Sequence, residues 1–162
     1  MAPMTDQAPR WLTPEEERAW RAWRRMQLLL TARIAADHVA DSGLSDPDYD
    51  VLSKLSEAQG ELRVSELASS MLWSQSRLSH HLARMERRSL ISRDACADDR
   101  RGTVARLTDT GWRAIEEAAP AHLSSVRRHL VDRLTPAQLA ALAEIAETVT
   151  APLLPDADAS GG

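Results

Sequence analysis

The residues with chemistry to offer lie in one stretch, VSELASSMLWSQSRLSHHLARMERRSLISRDACADDRRGTVARLT, running from Val64 to Thr108. Hydroxyls, an amide, an imidazole and arginines crowd there at helical spacing: Ser74, Gln75, Ser76, Arg77, Ser79, His80 and Arg84. Such groups meet phosphate oxygens or base edges, and an arginine pairs bidentately with guanine O6 and N7. Ser74 reads as an N-cap, so the free backbone N–H groups beside Gln75 also favour an anion. Arg100 and Arg101 follow in a polar loop and suit a narrow, electronegative minor groove. Arg100 is the candidate for the groove. Arg101 is the candidate for a phosphate, or for an internal pair with Asp98 or Asp99 that shapes the loop. The chemistry is that of gripping double-stranded DNA.

Other chemistries lack their parts. With six glycines in all there is no phosphate-cradling loop, and no nucleophile–base pair stands at a recognisable spacing, so neither an enzyme nor a cofactor is expected. His38, His122 and His129 have no cysteine or carboxylate cluster at ligand spacing, so no metal is expected. Cys96, the one cysteine, reads as an exposed thiol at the loop tip, with a redox-responsive role as the alternative.

The elements that must position these residues are mostly helical. Thr13-Pro14-Glu15-Glu16 is a capping box with Pro at the first turn, opening a helix to about Ser42 with Gly43 as its stop. Trp20, Trp23, Leu28, Leu30 and Ile34 make that helix apolar on more than one face, and its tryptophans read as core or dimer interface rather than a ligand pocket. Asp46-Pro47 opens a second helix that fades near Gly60, and Ser65–Met71 is a short third. The Ser74-capped helix runs to Arg88 with Leu78, Leu82 and Met85 as its buried stripe, which turns Ser76, His80, Ala83, Arg84 and Arg87 outward. Leu90–Arg93 and Thr103–Leu107 read as two strands of a hairpin, and residues 94–102 as its wing. Thr108 caps a helix to about Arg133, kinked or broken at Pro120, and Thr135-Pro136-Ala137-Gln138 opens the last one, to about Thr150. Residues 1–12 and 151–162 read as loosely ordered ends.

The bulk composition fits one soluble domain: 162 residues, 43% hydrophobic and 27% charged, with no apolar run of membrane-spanning length and no secretory h-region in MAPMTDQAPR. A lone cysteine suits a reducing cytoplasm. The net charge of −4 argues against a nucleic-acid partner, but between Ser74 and Arg106 eight arginines face four acids. A basic patch on an acidic body binds phosphate locally while limiting nonspecific adhesion.

The order of helices, the S-E-L-A of the third, the S-R-L-S-H-H-L-A-R-M-E of the fourth and above all D-D-R-R-G-x-x-x-x-L-T-x-x-G at Asp98–Gly111 resemble the MarR family of bacterial transcriptional regulators. The resemblance implies a winged helix-turn-helix lobe (46–108), dimerisation helices (13–42 and 109–150), a homodimer on a palindromic site, and a candidate small-molecule effector bound between the two parts. Three positions depart from the family pattern: Ser89 where glycine is usual, Ala83 where an acid often steadies a wing arginine, and Cys96 where an aspartate is common. The expectation is a mostly α protein with a small β-hairpin wing, acting as a repressor. A winged-helix scaffold for other proteins is the alternative.

Overall fold

The computed structural model describes residues 10–96 and 102–153. Helix α1 spans Pro14–Ser42, where the Thr13 hydroxyl accepts from the Glu16 N–H and Glu16 answers the Thr13 N–H. Gly43 ends it in the left-handed conformation. Helix α2 (Asp46–Glu57) has a second capping box between Ser45 and Asp48. A short strand β1 (Glu61–Arg63) leads into α3 (Val64–Ser70) and α4 (Gln75–Arg87), the latter capped by Ser74. Strands β2 (Ile91–Ala95) and β3 (Thr103–Leu107) precede α5 (Asp109–His129). A 3-10 turn at Val131–Arg133, α6 (Pro136–Thr150) with its Thr135–Gln138 capping box, and a second 3-10 turn at Ala151–Leu153, where a loose end was expected, complete the described residues.

Two sequence expectations are corrected. The hairpin is part of a three-stranded antiparallel sheet in the order β1-β3-β2, with Leu62 opposite Ala105. Three residues are too few to display an alternating pattern, so β1 has no sequence signature. The fifth helix ends at His129 instead of Arg133 and runs through Pro120 as one element. Glu116, whose carbonyl loses its helical donor to Pro120, is exposed, so water can supply that bond.

The core lies between α2, α3, α4 and the sheet. Leu78, Leu82 and Met85 are fully buried as the helical spacing predicts, and they meet Leu52, Leu55, Leu67 and Ile91. Each such side chain contributes roughly 1.5–3 kcal/mol. Helices α3 and α4 each end in the same device. Leu72 and Ser89 adopt left-handed backbone (φ 53° and 58°), letting Trp73 N–H reach the Ala68 carbonyl and Leu90 N–H reach that of Met85.

At the second closure the wing base is clipped to α5. The Thr108 hydroxyl donates to the Ser89 carbonyl and accepts from the Gly111 N–H. Gly111 sits so tightly against the Leu90 carbonyl that a β-carbon there would collide with it.

Helix α1 packs chiefly on α5, and polar groups pin the contact. The His38 imidazole is buried with Nε2 2.6 Å from His122 Nδ1 and Nδ1 2.9 Å from Asp46 Oδ1. Tyr49 stacks on His122 and lies tilted against His38. These rings lie where α1 meets α2 and α5. Burial and the neighbouring His38 push the His122 imidazole below its ordinary range, against a weaker pull upward from Asp46.

Two predictions follow the geometry. Ser89→Gly relieves left-handed strain and raises stability by about 1 kcal/mol, while Gly111→Ala lowers it by about 1–3 kcal/mol, both read by thermal unfolding. Because His122 resists protonation in the folded state, its contribution is complete above pH ~6.5 and is lost as pH falls below it. His122→Asn is expected to flatten the stability profile between about pH 5 and 7.

Candidate nucleic-acid interface

Helix α4 carries three stripes, set by its 100° step. One is the buried row Leu78, Leu82 and Met85. Opposite it, Ser76, Ser79, His80 and Arg87 are exposed. Between the two run Arg77, His81, Arg84 and Arg88, at i, i+4, i+7 and i+11, and this flank faces the N-terminus of α2. Ser74 and Gln75 stand at the helix start, where the Ser74 hydroxyl accepts from the Arg77 N–H.

The flank is organised by a buried carboxylate. Asp48, on α2, receives the Arg88 guanidinium at 2.7 Å and the Ser45 N–H at 3.1 Å. His81 Nε2 lies 3.1 Å from its other oxygen. Burial pushes the Asp48 carboxyl upward, but the hydrogen bonds from His81, Arg88 and Ser45 outweigh it and hold the group well below the usual carboxylate range. On its other side the His81 ring meets Arg84 Nη2 at 2.7 Å from Nδ1. It also contacts the edge of Trp73, with ring centroids 5.5 Å apart. The Arg77 guanidinium lies over the Trp73 face, 3.9 Å from the centroid.

The wing stem is steadied by ion pairs. Arg93 gives two N–H groups to one oxygen of Glu86, at 3.1 and 2.7 Å, tying β2 to α4. Arg106 on β3 bridges Glu61 of β1 and Asp94 of β2, at 2.5 and 2.9 Å. The Cys96 N–H bonds the Gly102 carbonyl at 2.8 Å, and its side chain is half-buried rather than exposed as expected. Arg100 and Arg101 lie outside the described residues.

Residues 44–103 match the MarR family model. AbsC, a MarR family transcriptional regulator from Streptomyces coelicolor, is 40% identical over 90% of this chain and 98% of its own, with a TM-score of 0.85. Sco3205, a MarR family regulator from the same organism solved in complex with DNA, is 38% identical over 93% and 95%, with a TM-score of 0.87. The chain belongs to the MarR family of transcriptional regulators. Bordetella bronchiseptica BpsR, whose DNA binding is regulated by 6-hydroxynicotinic acid, shares the fold at 22% identity and a TM-score of 0.71, over 82% of this chain and 98% of its own. No curated protein sequence matches at a significant level.

One turn from Ala83, where the family often has an acid for a wing arginine, Glu86 ties the wing-stem Arg93 to α4. The departure at Ser89 leaves a serine in the left-handed conformation that glycine adopts freely. Sequence reasoning brought Ser74, Gln75, Ser76, Arg77, Ser79, His80 and Arg84 together on or beside one helix, and they are there. It missed Asp48, Trp73 and His81. Asp48 stood in the third position of a capping box, His81 at the edge of the apolar stripe and Trp73 just before an N-cap, each with a local role sufficient to account for it. Among the described residues no group of three or more His, Cys, Asp or Glu is arranged to hold a metal, and no helix is long and apolar enough to cross a membrane. The histidines singled out earlier sit in pairs: His38 with His122, and His129 with Asp37 at 2.9 Å.

Asp48→Ala removes the acceptor of a buried imidazole and half of a capping box. It is expected to lower stability by about 2–3 kcal/mol in urea unfolding at neutral pH.

Proposed function

We propose that the chain acts as a homodimeric repressor. It binds a pseudo-palindromic operator, with the recognition helix (74–88) in the major groove and the wing (94–102) at the adjacent minor groove. The observation that carries this reading is the exposed stripe of α4, Ser76, Ser79, His80 and Arg87, projecting beside a braced wing stem. Ser74, Gln75, Arg77 and Arg84 flank that stripe, and Arg100 and Arg101 are assigned to the wing tip as the minor-groove and phosphate contacts. Sco3205, solved with DNA, supports the same partner for this chain.

Dimerisation is supported by apolar faces the single chain leaves bare. Trp20 and Trp23 stack at 5.2 Å while staying about half exposed, Leu28 is 71% exposed, and no residue of the Ala- and Leu-rich α6 is buried. Such surface marks an interface. Two-fold symmetry puts the recognition helices about one DNA turn apart, which matches a palindromic site.

Sedimentation should give twice the chain mass, and a gel shift on DNA flanking the chain's own gene should show a salt-sensitive complex. Arg100→Ala is expected to weaken that complex at least tenfold with the dimer intact, since it removes the groove contact. An unshifted affinity would remove the wing from the interface. Absence of any salt-sensitive DNA complex would favour the protein-binding scaffold instead.

A further inference from the structure

Five arginines of the lobe are held in two different ways. Arg88, Arg93 and Arg106 each engage a carboxylate: Asp48, Glu86, and Glu61 with Asp94. Their charge is spent within the fold. Arg77 and Arg84 are held just as closely, but by uncharged partners: the face of the Trp73 indole and Nδ1 of His81. We propose that Trp73 and His81 are positioning residues that present Arg77 and Arg84 to the DNA backbone, oriented in advance and with their full charge available. This rests on the reading of α4 as the recognition helix.

The hydrogen-bond chain dictates how the cradle works. A guanidinium only donates, so the atom facing Arg84, His81 Nδ1, must be the acceptor. The ring proton therefore sits on Nε2, which lies 3.1 Å from Asp48 Oδ1 in an ion-pair contact without hydrogen-bond alignment. The bond to Arg84 requires that tautomer, and the nearby carboxylate charge favours a proton on Nε2. The T-shaped contact between Trp73 and His81 joins the two holders into one wall. Arg77 and Arg84 lie two helical turns apart, about 10 Å along α4, on the flank and not on the outward stripe. That placement suits phosphates at the groove edge and leaves base edges to Ser76, Ser79, His80 and Arg87. Fixing a long side chain before binding spares the rotamer entropy otherwise lost on contact. An uncharged holder leaves the whole positive charge to displace counterions.

The test is a double-mutant cycle on DNA. A specific duplex is first selected from a random pool by the full-length wild-type protein, and an unrelated duplex of equal length serves as the second probe. Affinities over a salt series are measured for wild type, His81→Phe, Arg84→Ala and the double variant. Phe keeps a flat ring beside Trp73 but offers no acceptor. Arg84→Ala is expected to weaken binding about tenfold on both duplexes alike and to reduce the salt slope by about 1 per subunit. His81→Phe should weaken both by about three- to fivefold, and add nothing in the Arg84→Ala background.

An equal loss from His81→Phe in both backgrounds means a structural role and overturns the proposal. A loss confined to the selected duplex means base reading and overturns it as well. Wild-type affinity in His81→Phe overturns this inference alone. Failure of the wild type on every duplex removes the DNA-binding reading and the inference together. If His81→Phe does not fold, Trp73→Leu and Arg77→Ala run the same cycle at the other arginine, with the same outcomes decisive.

Discussion

Asp48 must remain ionised inside the lobe, and three groups from two stretches of chain contribute to keeping it so. The Ser45 N–H comes from its own helix start, while the His81 imidazole and the Arg88 guanidinium come from α4. An ionised carboxylate out of water is tolerated only when its oxygens are satisfied, so the constraint works in both directions. The carboxylate needs α4 at one rotation and one distance, and apolar packing of Leu78, Leu82 and Met85 alone would not specify that rotation so narrowly. What α4 shows to the outside is therefore decided by a group buried on α2. The arginines of the flank inherit their positions from it, through His81 and through the wall His81 makes with Trp73.

The same logic resolves the charge question. A chain of net charge −4 has a local excess of arginine between Ser74 and Arg106, but a formal count treats those arginines as equal. They are not. Arg93 and Arg106 brace the sheet against α4 and across its own strands, and Arg88 satisfies a buried acid. The exposed pairs of Arg93 and Arg106 stabilise modestly, by about 0–1 kcal/mol each, and all three arginines have their charge neutralised. Among the described residues of that stretch, Arg77, Arg84 and Arg87 engage no carboxylate, and all three lie on α4, which concentrates the local potential there.

Much of the fold was legible because the chain is punctuated strongly. Capping boxes at Thr13 and Thr135, the Ser74 cap and the apolar rows of α2 and α4 each depend on residues within a turn or two of one another. Strand β1 was not legible, because its three residues earn their conformation from pairing with β3, more than forty positions away. The end of α5 was misplaced because Arg127, Arg128 and His129 continue a helical pattern that the 3-10 turn interrupts. The site divided similarly. Which residues line α4 was set by periodicity, whereas which arginines are neutralised depended on partners such as Asp48 and Arg88, forty positions apart. Such pairings leave no trace in a local pattern.

The junction between α1 and α5 has a related character. Asp37 accepts from the Ser125 hydroxyl at 2.6 Å and lies 2.9 Å from His129 and 3.3 Å from Arg128. The Ser125 bond is the main reason its carboxyl stays below the ordinary range, against the opposing effect of burial and with further help from His129 and Arg128. With His38 and His122, these contacts fix α1 to α5 by directional bonds, while the apolar surface of α1 is left facing outward. Directional contacts resist sliding, whereas apolar ones are nearly indifferent to it. A second copy covering Trp20, Trp23 and Leu28 would grip α1 and, through it, both lobes. The spacing between two recognition helices would then be set by the polar junction inside each subunit as much as by the apolar seam between them.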